Sequence, residues 1–414
     1  MIKKIFKEQK TKFDVFTPSA KKLIWSNLLF GLFNPFYLIF SNTFIFNTTK
    51  GDLKFNLLYC IFTFIGIITG FAVNGILIRR FHIKNQLVFG ELLLFVALTF
   101  MFFIPSKFLT GIGISIFGLS TGIGNGIYWS SRNYLTIVNT HDSNRDFFSG
   151  LDYILISSGR IITPFFIGMY IGEGIEHGWF TSRFAYKSTL IFAFLAVIFS
   201  SFFLLKGYFN SAQTKKFFYV KYSGFWIRAR LMSILLGFFQ GAIFVIPPVF
   251  IMKYIGNEAT VGTLSSISYL LAIIIVYIVS SRSKVEHRTG IMTAGSFIFF
   301  TGSIFFAAFN VYGSVIATSV LTFLMFMTEP IISFPFRATI MKAIDDLKHI
   351  EKRDDYSYLF DVEMSTAVGR VTSIGFFYLL YILLPINLAL SLYLVLVALL
   401  QFFIMPLSKK INGR

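Results

Sequence analysis

The stretch at residues 188–205 reads STLIFAFLAVIFSSFFLL, which is eighteen consecutive residues without a charged side chain. Lys206 ends this run. Its length is typical of a helix that crosses a lipid bilayer, because about 20 apolar residues at roughly 1.5 Å each match the ~30 Å hydrocarbon core. Similar runs recur along the rest of the chain, so the bilayer decides the fold.

The composition of the whole chain supports a membrane protein. Of its 414 residues, 55% are hydrophobic and 14% are charged, and the mean hydropathy is +0.72, far above that of soluble domains. The net charge of +18 is spread between apolar runs instead of being gathered on one surface, which argues against a nucleic-acid partner. The single cysteine, Cys60, excludes an intramolecular disulfide.

We predict an all-α integral membrane protein with twelve transmembrane helices in two pseudo-symmetric six-helix bundles. The predicted spans are residues 23–46, 53–78, 86–105, 108–138, 150–172, 186–205, 227–252, 258–281, 290–309, 312–341, 357–384 and 386–406. A longer polar stretch divides them six and six. The expected segments are a basic N-terminal segment (1–22), an N-terminal bundle (23–205), a linker (206–226), a C-terminal bundle (227–406) and a tail (407–414).

Lysine and arginine are distributed unequally between the two ends of the predicted helices. With the N-terminal segment in the cytoplasm, 25 of the 37 lie on the cytoplasmic side, six lie outside, and six fall in or at the ends of helices. The positive-inside rule therefore predicts a multi-pass protein of the inner or plasma membrane with both termini cytoplasmic. The first residues lack a cleavable signal pattern, so helix 1 is expected to direct insertion.

Four features recur in the same order in the two halves, which indicates a duplicated six-helix unit. They are Gly31-x2-Asn34 and Gly237-x2-Gln240 in helices 1 and 7, Arg132 and Arg337 in helices 4 and 10, Asn144-Arg145-Asp146 and Lys352-Arg353-Asp354 in the following loops, and Gly159-Arg160 and Gly369-Arg370 in helices 5 and 11. A parallel repeat of this kind places a binding site between the halves, near the middle of the bilayer.

The twelve spans, the two halves and the basic loop between helices 2 and 3 resemble the major facilitator superfamily over essentially the whole chain. The loop signature of that family is Gly-x-Leu-x-Asp-Arg-x-Gly-Arg-Lys-x-x-Leu. It is matched here at Gly75, Leu77, Arg80, Lys84 and Leu87, whereas Arg79, His82 and Ile83 replace its aspartate, glycine and arginine. The resemblance implies a secondary transporter that works by alternating access, with Gly75, Arg80 and Lys84 in gating or structural roles.

Helix 5 is similar to the glycine and proline pattern of antiporter members of that family, through Gly150, Gly159, Pro164 and Gly168. This similarity favours export. The helix 4 pattern of proton-driven exporters is not matched, because Gly118 stands where an arginine is required. Close packing of helices explains the same glycines equally well.

Arg160 and Arg370 are predicted to bind substrate. Both are expected near the bilayer centre, where a charged side chain costs at least about 2.5 kcal/mol and is retained mainly where it pairs or faces a water-filled cavity. A guanidinium offers a planar fork of donors to a carboxylate or another anion. Asn34 and Gln240 are expected either to line the same cavity or to hydrogen-bond between helices.

Structural ion pairs are the alternative for these arginines. Glu363 precedes Arg370 by seven residues, and Asp152 precedes Arg160 by eight. Asp152 and Glu363 are also predicted as proton-coupling groups.

Glu329 in helix 10 has no charged counterpart in helix 4, and it is predicted to bind a proton during transport. Its alternative role is an ion pair with Arg337 or with an arginine of helix 4. Arg132 and Arg337 are themselves predicted to be gating or structural charges.

Other functions are less well supported by the residue types. An intramembrane enzyme usually gathers His, Cys, Asp or Glu at membrane depth, whereas all five histidines fall in predicted loops. We therefore predict no enzyme activity, metal or cofactor. The expected partners are a small-molecule substrate, membrane lipids and protons, and the chain is expected to be monomeric. A multidrug exporter, a lipid transporter and a non-transporting receptor of the same fold stay open as alternatives.

Overall fold

The computed structural model describes residues 13–14, 16–140, 142–209, 216–219, 221–254, 256–282, 285–309 and 315–413, with side chains described outside 142–146 and 279–282. Most of the predicted basic N-terminal segment therefore lies outside the described residues. For the repeated motif at 144–146 only the backbone is described. Within the described ranges the chain is helical and contains no strand.

Twelve long helices follow one another in the ranges that the structure describes. Their bounds are α1 Pro18–Thr48, α2 Leu53–Leu77, α3 Ile83–Phe103, α4 Gly111–Asn139, α5 Asp142–Glu176, α6 Ser182–Leu205, α7 Gly224–Tyr254, α8 Glu258–Arg282, α9 Arg288–Phe309, α10 Val315–Glu351, α11 Asp355–Leu383 and α12 Ile386–Gln401. A short helix, α13, covers Ile404–Asn412. The protein is a multi-pass membrane protein.

Eleven of the segments in the described ranges are long and apolar enough to cross a membrane, and α4 is the twelfth long helix. It has 29 residues, enough to span roughly 40 Å at about 1.5 Å per residue. It is more polar than its neighbours because much of it is covered by α2 and α3. A helix shielded from lipid by protein does not need an apolar surface on every side.

The helices form two bundles, α1–α6 and α7–α12. Most helices pack on others of their own bundle, whereas α5 and α8 pack most extensively on each other. This contact and the packing of α2 against α11 join the two bundles. We call the end of the molecule that carries the turn between α2 and α3 and the linker before α7 the basic face. The other end is called the opposite face.

The ends of the helices differ most from the prediction at three places on the basic face. Helix α5 begins at Asp142, eight residues before its predicted start, so residues 144–146, which were predicted in a loop, are helical. Helix α10 continues to Glu351, ten residues beyond its predicted end, and includes His349, which was predicted in a loop. This extension is polar and carries a Lys348–Asp345 ion pair at 2.9 Å, so hydropathy does not detect it. Residues predicted as the end of helix 12 and the tail instead form α13, which buries Ile404 and Ile411.

Candidate functional site

A cavity of about 240 Å³ lies between the two bundles. It is lined by α1, α2, α4, α5, α7, α8, α10 and α11, while α3, α6, α9 and α12 do not contribute. Most of its lining is apolar or aromatic. Its charged side chains are Arg160, Glu329, Arg337, Glu363 and Arg370. A mostly apolar cavity with a few convergent polar groups is the usual form of a small-molecule site.

In the N-terminal bundle, a glycine contact positions an arginine and an amide. A Cβ atom on Gly159 would lie 2.1 Å from the carbonyl carbon of Gly31, so α1 and α5 can approach this closely only because both residues are glycines. Arg160 and Asn34 follow on the cavity side of this crossing. The Arg160 Nε donates to Asn34 Oδ1 at 3.0 Å, and this bond orients the guanidinium near the midpoint of α5.

The C-terminal bundle repeats this arrangement. A Cβ atom on Gly237 would lie 2.9 Å from the Cα of Gly369, where α7 crosses α11. Arg370 donates to Gln240 Oε1 through Nε at 2.9 Å and through Nη2 at 2.6 Å. Of the four residues singled out by the sequence repeat, Arg160, Gln240 and Arg370 line the cavity. Asn34 is joined to it through its bond to Arg160, so the structure contains two matching amide–arginine pairs.

The two arginines differ in their acidic neighbours. Arg370 forms an ion pair with Glu363 on its own helix, which is the structural ion pair considered as the alternative to substrate binding. Among the residues that the structure describes, no carboxylate lies within 4 Å of the Arg160 guanidinium. Its carbon instead lies 5.6 Å from the centre of the Tyr269 ring, within the range of a cation–π contact.

The suggested pairing of Asp152 with Arg160 is wrong. Asp152 forms a buried ion pair with Arg132 of α4 and accepts a hydrogen bond from Asn27 Nδ2 at 2.5 Å. Eight residues along a helix correspond to a turn of about 80°, which points Asp152 away from Arg160 and toward α4. Arg132 is 2% exposed, so this pair joins helices of one bundle.

Arg337 and Glu329 of α10 are both in the cavity lining but do not form an ion pair. Arg337 is exposed, and its guanidinium carbon lies 5.7 Å from the centre of the Trp129 ring. No carboxylate of the described residues lies within 4 Å of it. The Oε2 atom of Glu329 is buried without a hydrogen-bond partner in the described part of the chain.

Helix α1 changes its geometry beside the cavity. Pro35 lacks the N–H group of a regular helix, and the chain continues as a π-helical turn over Phe36–Phe40. Tyr37 of this turn lines the cavity and its hydroxyl accepts a hydrogen bond from Asn34 Nδ2 at 2.6 Å. The irregular turn thus connects the cavity wall to the amide that orients Arg160.

The residues of the loop signature lie on the basic face, outside the cavity. A Cβ atom on Gly75 would lie 2.9 Å from the ring of Phe217 in the linker, and the Arg79 guanidinium lies 5.9 Å from the centre of that ring. Lys84 Nζ donates to the carbonyl oxygen of Leu205 at 3.2 Å. Arg80 is exposed. This region therefore packs against the linker. The ring of Phe217 lies beside Arg79, the residue that replaces the aspartate of the signature.

The two bundles also contact each other on both sides of the cavity. At the basic face, the Tyr356 hydroxyl of α11 donates to the carbonyl oxygen of Phe71 in α2 at 2.7 Å. At the opposite face, Glu258 Oε1 of α8 accepts hydrogen bonds from Asn47 Nδ2 at 2.6 Å and from the Tyr186 hydroxyl at 2.8 Å. No feature of the sequence pointed to the Glu258 contact, because an acidic residue that begins a helix is ordinary.

One glycine of the antiporter-like pattern in α5, Gly168, packs across the interface between the bundles. A Cβ atom on Gly168 would lie 2.7 Å from the carbonyl oxygen of Glu258 in α8. A Cβ atom on Gly262 of α8 would lie 2.0 Å from the carbonyl oxygen of Pro164 in α5. Close helix packing therefore accounts for this part of the pattern. In the described part of the chain, no group of three or more His, Cys, Asp or Glu side chains is placed to hold a metal ion.

This architecture matches solved membrane transporters over nearly the whole chain. A bacterial homologue of the iron transporter ferroportin matches in its outward-facing state with soaked iron, with a TM-score of 0.64 and 12% identity, over 95% of this chain and 99% of that one. Its inward-facing state has the same TM-score and identity. The human organic anion transporter MFSD10 (TETRAN) matches with a TM-score of 0.60 and 11% identity, over 95% and 99%.

These matches show that the chain has the major facilitator fold. The sequence is also 27% identical over 272 residues to the uncharacterized protein YqgE of Bacillus subtilis (strain 168), which covers 65% of this chain. The match spans 61% of that relative's length, less than two thirds of it. No family model matches the sequence.

Proposed function

We propose that this protein is a secondary transporter that moves a small anionic solute across the membrane by alternating access, with Arg160 and Arg337 as the groups that bind the anion. The observation that carries the proposal is the state of Arg337: it is exposed in the central cavity and lies beside Trp129 without a carboxylate within 4 Å in the described structure.

The energetics favour a ligand for this charge. A guanidinium at membrane depth costs at least about 2.5 kcal/mol unless it is paired or hydrated. Arg132 and Arg370 are paired with carboxylates, so their charges are compensated by the protein. Arg160 and Arg337 are left facing the cavity, where two guanidinium groups can donate charge-assisted hydrogen bonds to one anion.

The contacts between the bundles support alternating access. The basic face is closed by contacts such as Tyr356–Phe71, and the opposite face by the Glu258 contacts with Asn47 and Tyr186. Opening the cavity to one side requires one set of contacts to break while the other persists. We propose that the basic face is cytoplasmic, since the positive-inside rule assigns it there.

Glu329 also belongs to the cavity lining, and its Oε2 atom has no hydrogen-bond partner in the described part of the chain. Its formal charge offsets one of the two guanidinium charges that face the cavity, so one positive charge remains for the solute.

The alternative of a metal cation is less compatible with the cavity. Three guanidinium groups line it, and one of its two carboxylates is already paired with Arg370. Divalent cations prefer clusters of oxygen ligands with net negative charge. The iron named for the ferroportin homologue is therefore not proposed for this chain.

A binding screen tests the proposal. The detergent-purified protein is heated with panels of organic anions, amines, divalent cations and neutral metabolites, since a ligand at 100 times its dissociation constant stabilises the native state by about 2.7 kcal/mol. Anions should raise the melting temperature of the wild type and of Arg228→Gln, a control on α7 outside the cavity lining. They should have little effect on Arg337→Gln.

The proposal is wrong if only amines or divalent cations stabilise the protein, or if Arg337→Gln responds to anions as the wild type does. A positive screen leads to uptake measurements in proteoliposomes. There, the wild type should take up the anion, whereas Arg337→Gln should not.

A further inference from the structure

The proposed anion site also restricts the kind of anion, and this inference rests on the proposed function. We infer that the substrate is a small organic monoanion with an aromatic or bulky apolar body, whose charged group binds Arg160 and Arg337 and whose body packs against the aromatic wall of the cavity formed by Phe64, Phe244, Tyr269 and Phe326. Three observations support this inference: the net charge of the cavity, its wall and its size.

The formal charges of the cavity lining select a single negative charge. Three arginines and two glutamates line the cavity, so its net charge is +1. One anionic group neutralises this charge, whereas a dianion leaves an excess of −1 in a region of low dielectric constant, where uncompensated charge is costly. Arg370 cannot supply the missing charge, because Glu363 and Gln240 already occupy its guanidinium.

The aromatic wall continues directly from the arginines. Tyr269, whose ring lies 5.6 Å from the Arg160 guanidinium, is also 5.1 Å from the ring of Phe326. Across the cavity, the rings of Phe64 and Phe244 lie 5.1 Å apart in an edge-to-face arrangement that joins the two bundles. A planar apolar body adjacent to a carboxylate can contact these rings while the carboxylate reaches the guanidinium groups, and aromatic contacts of this kind add to the area buried.

The volume of the cavity limits the size of this body. At 240 Å³ it is somewhat smaller than the roughly 300 Å³ at which drug-sized ligand sites begin. A substituted benzoate-like acid is of suitable size, whereas a lipid with long acyl chains is not. The cavity therefore favours compact aromatic or branched acids over lipids.

A matched set of four probes separates the contributions of charge and body. Benzoate has one charge and a ring, acetate has the charge alone, benzyl alcohol has the ring alone, and phthalate has the ring with two charges. Affinities are measured by thermal shift and by isothermal titration on the full-length purified protein. We expect benzoate to bind at least tenfold more tightly than each of the other three.

Variants assign the two contributions to the two parts of the site. Arg337→Gln should lose benzoate and acetate binding together. Phe326→Leu, which keeps an apolar side chain and preserves the fold, should weaken benzoate at least threefold and leave acetate unchanged. Phe192→Leu, a change of the same kind at an exposed position of α6, is the control and should change neither.

The outcomes separate this inference from the proposed function. If acetate or phthalate equals benzoate and both are lost in Arg337→Gln, the anion site stands and the inferred monoanion with an apolar body is wrong. If benzyl alcohol equals benzoate and binds Arg337→Gln as well, the site selects apolar bodies without regard to charge, and both are wrong. If none of the anions binds, the proposed function itself fails.

Discussion

Replacement of Gly159 by alanine should separate α1 from α5 and disturb the anion site. The added Cβ would lie 2.1 Å from the carbonyl carbon of Gly31 and 2.3 Å from the backbone nitrogen of Leu32. Non-bonded carbon atoms prefer about 3.5–4.0 Å, so the two helices must move apart by on the order of 1 Å. Both obstructing atoms belong to backbone, and a change of side-chain rotamer cannot relieve the clash.

The expected loss of stability is about 1–3 kcal/mol, the usual cost of overpacking a tightly packed contact. Arg160 follows the substituted residue directly, and its 3.0 Å hydrogen bond to Asn34 crosses the same pair of helices. A separation of this size breaks that bond, so anion affinity should fall about tenfold, which corresponds to about 1.4 kcal/mol. Melting temperature and benzoate affinity of the purified protein are the two measurements.

Gly375→Ala provides the matched control, because a Cβ at Gly375 of α11 would meet no atom within 4 Å. It should be neutral or stabilising by up to about 1 kcal/mol, since alanine is the better helix former. The reasoning is refuted if Gly159→Ala keeps the stability and affinity of the wild type. It is also refuted if Gly375→Ala is equally damaging, because sensitivity to any added methyl group would then explain the result.

Three further changes test other contacts. Asp152→Asn leaves its buried guanidinium partner without a counter-charge and should lower the free energy of unfolding by about 3–5 kcal/mol. The melting temperature should fall, and it should be partly restored when the partner arginine is also changed to glutamine. Gly75→Ala pushes a Cβ against the ring of Phe217, 2.9 Å away, and should loosen the contact with the linker. Labelling of single cysteines at the basic face, measured in a Cys60→Ala background, should therefore increase. The double variant with Phe217→Ala should restore the wild-type labelling. Val362→Asp places a carboxylate at the position that matches Asp152 in the repeat and should lower benzoate affinity tenfold or more in titration calorimetry.

The sequence predicted the helices well because the bilayer enforces a simple rule. A span must be apolar over about 20 residues, so hydropathy found the twelve long helices even though α4 is less apolar than the rest. The same rule does not apply beyond the bilayer. The polar continuation of α10 to Glu351 and the separate helix α13 were therefore missed.

The candidate site could be predicted where it depends on the repeat. Glycine, amide and arginine recur at fixed spacing in both halves, and the structure places both amide–arginine pairs beside the cavity. The partners of the charges could not be predicted from spacing along one helix. Asp152 pairs with Arg132 of another helix, and which helix faces it depends on rotation and packing that a single sequence does not contain.

A one-residue difference between the halves explains why Arg132 is paired with a carboxylate and its counterpart Arg337 is not. In the repeat, Gly159 matches Gly369, so Asp152 of α5 matches Val362 of α11. The acidic residues that flank Val362 are Glu363, which pairs with Arg370, and Asp361, which is rotated by about 100° around the helix. Asp361 faces α7, where it accepts hydrogen bonds from Arg230 at 2.7 and 2.6 Å.

Arg337, the counterpart of Arg132, therefore lacks the carboxylate that neutralises Arg132 in the other half. The duplicated scaffold supplies two matching amide–arginine pairs, and this shift leaves Arg337 uncompensated in addition to Arg160. A perfectly symmetric pair of bundles would have paired Arg337 as Arg132 is paired, and the cavity lining would then carry no net positive charge. The departure from symmetry therefore supplies the one net positive charge to which we propose that the anion binds.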